Sequence, residues 1–164
     1  MAKNHPPRTK RKPRTKDQLL PWPSNTIRVL SLEGHIALSV LRRGHGEAVQ
    51  IGRLSQIVYL SYFMRDVTAA GSDIEQFRVA EIIVEACVSR ALNGEQWELK
   101  DDDYAAIERI LLLYDAQLAA APAYRFSDAW QQFERMVVKN FQTPIEGSRV
   151  EAAAVSVDAV KALI

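Results

Sequence analysis

Residues 94–122 read GEQWELKDDDYAAIERILLLYDAQLAAAP, the one stretch that carries a start, a periodic body and a stop. Asp101, Asp102 and Asp103 put negative charge where the first turn of a helix leaves N–H groups unpaired and where the helix dipole is positive. Pro122 cannot continue a helix and marks the end. Between these marks Tyr104, Ile107, Leu111, Tyr114 and Leu118 step by three and four residues and so share one face. Leu112 and Leu113 point elsewhere. A helix apolar on more than one side needs several neighbours or a second subunit, so this segment is expected to be central or interfacial.

Working outward, every other periodic segment also fits 3.6 residues per turn. A first helix is expected from a cap among Ser24, Asn25 and Thr26 to Arg43, where Gly44 and Gly46 end it. It has one apolar face of Val29, Leu32, Ile36 and Val40 and another of Ile27, Leu30, Leu38 and Leu41, with Gly34 admitting a neighbour closely. A second helix is expected from Glu47 to Ala69, apolar on both sides. A third follows, opened by a capping box in which Ser72 and Glu75 reciprocate and closed by Asn93-Gly94. After the central helix Ser127 caps a fifth, lined by Trp130, Phe133, Val137 and Phe141 and stopped by Thr143-Pro144. The fold class is therefore all-α, a bundle of about five helices over residues 24–142. A basic arm with a Trp22 anchor precedes it at 1–23, and a tail or short helix follows at 143–164. With 164 residues, 48% of them hydrophobic and 25% charged, one compact domain has apolar surface enough for a core. Two helices expose more apolar sides than five can readily cover. A homodimer is expected, with Leu60, Met64, Leu112 and Leu113 as its contact residues.

The formal net charge of +1 conceals an asymmetry. Lys3, Arg8, Lys10, Arg11, Lys12, Arg14 and Lys16 crowd the arm with no acid among them, leaving 14 basic against 20 acidic residues in the rest. Pro6, Pro7 and Pro13 oppose helix there, and Pro-Arg-Thr-Lys occurs twice, at 7–10 and 13–16. Such an arm is expected to be disordered when alone and to track phosphates without sequence preference. The bland alternatives are a solubilising tail and an arm folded back on the acidic body. Arg28, His35 and Arg42, spaced by seven, form a polar column on the first helix that would extend a phosphate track or stand as an ordinary solvated face. Trp22, held between Pro21 and Pro23, reads as an anchor that docks on the bundle.

The chemistry-bearing residues do not assemble into a catalytic motif: there is no phosphate loop, paired histidine-acid metal motif or nucleophile elbow. The chain reads as non-enzymatic, with no cofactor. Cys87, the single cysteine, lies in register with Phe77, Ala80, Val84 and Ala91 and reads as packing, in a reducing cytoplasm. No membrane span or apolar leader is read; the longest apolar run, Ile57 to Met64, is far short of a bilayer's ~20 residues.

The basic arm, the Gly94-x-x-Trp97-x-Leu99 approach and the Tyr114-Asp115-x-Gln117-Leu118 end of the central helix resemble a group of short helical proteobacterial proteins described as Fis-like transcriptional regulators. The resemblance covers residues 94–122 and the general layout. It implies a bacterial regulatory role, but the C-terminal stretch is Ala/Val-rich, lacks a basic helix-turn-helix and takes no binding residue from that family. The leading expectation is a regulatory or accessory bundle that contacts nucleic acid through its arm. The alternative is a protein-interaction subunit or adaptor whose arm grips an acidic partner.

Overall fold

The computed structural model describes residues 13–139 and 142–150. The fold is all-α. A one-turn helix α1 (Lys16–Leu19) precedes five long ones: α2 (Ser24–Arg42), α3 (Ala48–Phe63), α4 (Ile74–Leu92), α5 (Tyr104–Ala120) and α6 (Ala123–Val138). Residues 1–12, and with them most of the expected arm, lie outside the described residues, as do Phe141 and residues 151–164.

Local chemistry sets the boundaries. α2 starts directly after Pro23, whose carbonyl accepts the first helical bond from the Ile27 N–H at 3.1 Å, and it ends where Gly44 takes a φ of 74°, which an L side chain resists. α3 opens on Glu47, whose backbone N–H donates to Gln50 Oε1 at 2.9 Å, and it stops at Phe63 rather than Ala69. Two 3-10 turns, Arg65–Val67 and Ala69–Ser72, replace its expected last turns. There Arg65 donates to the Tyr62 carbonyl at 3.1 Å and stacks on the Tyr62 ring, satisfying a last-turn carbonyl without further helix.

The cap of α4 is Asp73, which accepts from the Glu75 N–H at 3.1 Å. Ser72 does not fill that role: its hydroxyl donates to the Ala69 carbonyl at 2.7 Å and closes the preceding turn. Asp101–Asp103 make a 3-10 turn ahead of α5. α6 begins at Ala123, four residues before the expected Ser127, because Pro122, which ends α5, also supplies the extended residue that starts the next helix. Ser127 sits inside the first turns and donates to the Ala123 carbonyl at 3.2 Å.

The helix enclosed on all sides is α3. It packs against α2, α4, α5 and α6, and even Ser55, Gln56 and Ser61 on it are buried. α5 is flanked by α2, α3 and α4 and keeps an open side. Gly34 lets three helices meet: a Cβ there would stand 2.6 Å from Ile57 Cδ1 and 2.8 Å from Leu111 Cδ2. The Gln117 side chain, fully buried, donates to the Ser61 carbonyl at 3.0 Å and ties α5 to the last turn of α3.

The start of the expected tail belongs to the body. Ile145 is buried, Arg78 Nε donates to the Glu146 carbonyl at 2.7 Å, and the Glu146 N–H reaches the Tyr62 hydroxyl at 3.3 Å. Glu81, 3% exposed, accepts from Tyr59 Oη at 2.9 Å and from the hydroxyls of Thr143 and Ser148. A buried carboxylate needs such donors in place of water. Two of the three come from the segment after α6, so Glu146-Gly147-Ser148 is a docked turn.

Candidate functional site

Of the expected nucleic-acid contacts, Lys3, Arg8, Lys10, Arg11 and Lys12 lie outside the described residues. The next cation is committed to the body. Arg14 forms an ion pair with Asp128 at 3.1 Å, and its guanidinium lies over the Tyr124 ring, 3.4 Å from the centroid. Residues 14–23 are thus part of the fold rather than a free arm. Thr15 and Gln18 cap α1 reciprocally, which places Lys16 on the surface at the head of that turn. The Leu20 carbonyl then accepts from the Ala123 N–H at 2.8 Å, and Pro21 pairs with Pro122.

Trp22 docks as an anchor, its ring meeting Phe126 edge to face at 6.1 Å. Phe126 stacks in turn on Trp130 at 6.2 Å. These three aromatic residues and Leu30 floor an open groove of about 590 Å³ whose polar wall includes Glu33, Arg53, Gln131 and Glu134. The Trp130 indole N–H donates to Glu134 at 2.8 Å, and Arg53 lies 3.4 Å from Glu33. The sequence pointed to Trp22 alone. The groove joins residues more than a hundred positions apart, and no local spacing reports that.

Two members of the column Arg28, His35 and Arg42 lie along the contact between α2 and α5. His35 Nε2 lies 2.9 Å from Asp115 Oδ2, and Arg42 meets Glu108 at 2.5 Å while lying over the Tyr104 ring. Both columns step by seven, and their opposite order shows that α2 and α5 run antiparallel. His35 and Arg42 face carboxylates of the neighbouring helix, while Arg28, two turns nearer the start of α2, is exposed. Pairs this exposed contribute little stability, ~0–1 kcal/mol each.

The expected dimer contacts divide. Leu60, Met64 and Leu113 are buried within the chain's own core, because α3 has four helical neighbours and Leu113 turns inward beside Tyr114. Leu112, 65% exposed, alone reaches the surface. Exposed aliphatic residues also form a row on α2. Val29, Leu32 and Ile36 on α2 are 51%, 52% and 52% exposed, with Val40 half-buried at the end of the same row. The sequence offered that row as one of two apolar faces of its helix; which face the bundle would leave open depended on where α3 and α5 lie.

Cys87 is buried on α4, and burial pushes its thiol up to about 11, so the nucleophilic thiolate is scarce at neutral pH. Glu85, one turn from Glu81, is held above the usual carboxylate range, first by burial and then by the Glu81 charge. Among the described residues no group of three or more His, Cys, Asp or Glu side chains converges as a metal site requires, and no helix is long and apolar enough to cross a membrane. Compared with protein-family models, curated proteins and solved structures, the chain matches none.

Proposed function

We propose that this chain is a non-enzymatic protein-interaction module that joins a second copy of itself through the outward side of α2 and Leu112 of α5. The row of exposed Val29, Leu32 and Ile36 carries the reading. Single surface aliphatics are ordinary, whereas a row at helical spacing is a face without a cover. Asn25 and Arg43 extend the same line and bound the apolar part with polar ends. A two-fold contact needs one patch complementary to itself, and similar-sized aliphatic side chains crossing their own copies meet that need. Each half-exposed leucine or isoleucine buried there adds roughly 1 kcal/mol. The Arg42–Glu108 ion pair supports the same reading, since it lessens the repulsion that two basic α2 faces would meet.

The test is sedimentation equilibrium of the full chain between about 1 and 100 μM, concentrations at which a dimer worth ~6–8 kcal/mol becomes populated. A concentration-dependent dimer is expected. Leu32→Glu with Ile36→Glu should make it monomeric without changing the helical circular dichroism. Monomer alone across that range overturns the proposal.

A further inference from the structure

We infer that the groove floored by Trp22, Phe126 and Trp130 is a binding site for a basic, proline-containing segment, and that its occupant is the chain's own N-terminal arm. The inference is independent of self-association through α2.

The groove has the chemistry for such a ligand. Aromatic faces attract guanidinium and ammonium groups and pack against proline rings, and aromatic-lined grooves are a recurrent seat for extended proline-rich peptides. Its charged wall is net negative: Arg53 answers Glu33 at 3.4 Å, whereas Glu134 accepts from the neutral Trp130 indole at 2.8 Å. Among the described residues the buried Trp22 indole N–H meets no acceptor.

The path of the chain points the arm there. Pro21 pairs with Pro122 at the start of α6, and Arg14 lies at Tyr124 and Asp128 further along the same helix. Followed backwards from residue 21 to residue 14, the chain runs towards the C-terminal end of α6, on whose flank Gln131 and Glu134 line the groove. Six helical residues separate Asp128 from Glu134, about 9 Å of rise, which roughly three extended residues cover. Arg11 and Lys12 fall at that distance from Arg14, and Lys10 follows. Residues 1–12 hold Lys3, Arg8, Lys10, Arg11 and Lys12 and no acid, so charge favours the acidic wall. Arg135 and Lys139 further along α6 are basic and favour a turn into the groove over a straight continuation. Docked this way, the arm holds its own cations in reserve, and high salt or a competing polyanion releases them.

Zero-length carbodiimide cross-linking of the full chain, mixed in equal parts with ¹⁵N-labelled chain and read by mass spectrometry, tests this. Links from Lys10 or Lys12 to Glu134 are expected within single copies, unchanged by tenfold dilution and reduced at least fivefold in 1 M salt. Glu134→Gln should abolish them and also remove the salt-dependent change in tryptophan emission expected of the native chain. If that variant fails to fold, Lys10→Glu with Lys12→Glu, which alters no described residue, should remove the same emission change. Absence of the Glu134 links, links only between labelled and unlabelled copies, or an emission change that survives the substitutions would overturn the inference.

Discussion

A Cβ added to Gly46 would collide with the backbone carbonyl of Trp97 as well as with Leu41, so the turn before α3 and the approach to α5 are in contact only because no side chain intervenes. Gly34 is different, since the atoms it would meet are the ends of the Ile57 and Leu111 side chains. Those can rotate, and alanine gains about 1 kcal/mol over glycine inside a helix. Gly46→Ala is expected to lower stability by about 2–3 kcal/mol and Gly34→Ala by less than about 1 kcal/mol, measured by urea unfolding. Glu85 permits a second prediction. Its raised pKa, from burial and then from Glu81, means that the folded state holds the proton more tightly than the unfolded state. Its contribution is fully present below the ordinary carboxylate pKa and is lost as pH rises through the folded value. Glu85→Gln should therefore gain stability relative to the native chain as pH rises from about 4 to 7, followed by thermal unfolding monitored by circular dichroism. An advantage that stays flat with pH would show that the pKa is not raised. The buried role of Glu81 was not legible in the pattern of its own helix, because its donors Thr143 and Ser148 lie more than sixty residues away.

At the scale of elements, the adjacent pair Leu112 and Leu113 separates what a helix tells from what its neighbours decide. Both read as apolar residues off the main stripe, yet they stand about 100° apart around the helix, and the bundle covers only one of them. Leu113→Glu would place a charge in the core and should cost about 3–5 kcal/mol or prevent folding. Leu112→Glu should leave the unfolding midpoint within about 0.5 kcal/mol and weaken self-association instead. Urea titration with sedimentation distinguishes the two; equal destabilisation would mean that Leu112 is also packed within the monomer. Helix ends show the same division. The Gly44 and Gly94 exits were legible because a positive φ selects glycine locally. The starts of α4 and α6 were displaced because Asp73 and Pro122 competed with Ser72 and Ser127 for one boundary, and side-chain type alone does not rank neighbouring caps.

Across the whole molecule, Arg14, Arg42, Arg53, Arg78 and Arg125 each meet a carboxylate of the body. Were the arm to contact nucleic acid through Lys3, Arg8, Lys10, Arg11 and Lys12, log affinity would fall against log salt with a slope of about −4.5. Asp128→Asn, which releases Arg14 from its ion pair, should steepen that slope by roughly 1 and tighten binding at low salt. Fluorescence anisotropy with a labelled duplex over a salt series measures both, and an unchanged slope would leave Arg14 outside any phosphate contact. By itself the sequence determined the helical class, the five long helices, the Trp22 anchor and the structural role of Cys87. Each is written in a local signal: a 3.6-residue period, a cap, a glycine exit, or a bulky aromatic held between prolines. Tertiary structure alone decided that α3 is the enclosed helix, that Val29, Leu32 and Ile36 are left in water while Leu60, Met64 and Leu113 are not, and that His35 and Arg42 meet Asp115 and Glu108. Burial and pairing belong to a side chain's neighbours, and those neighbours come from other helices whose placement no single stretch of the chain encodes.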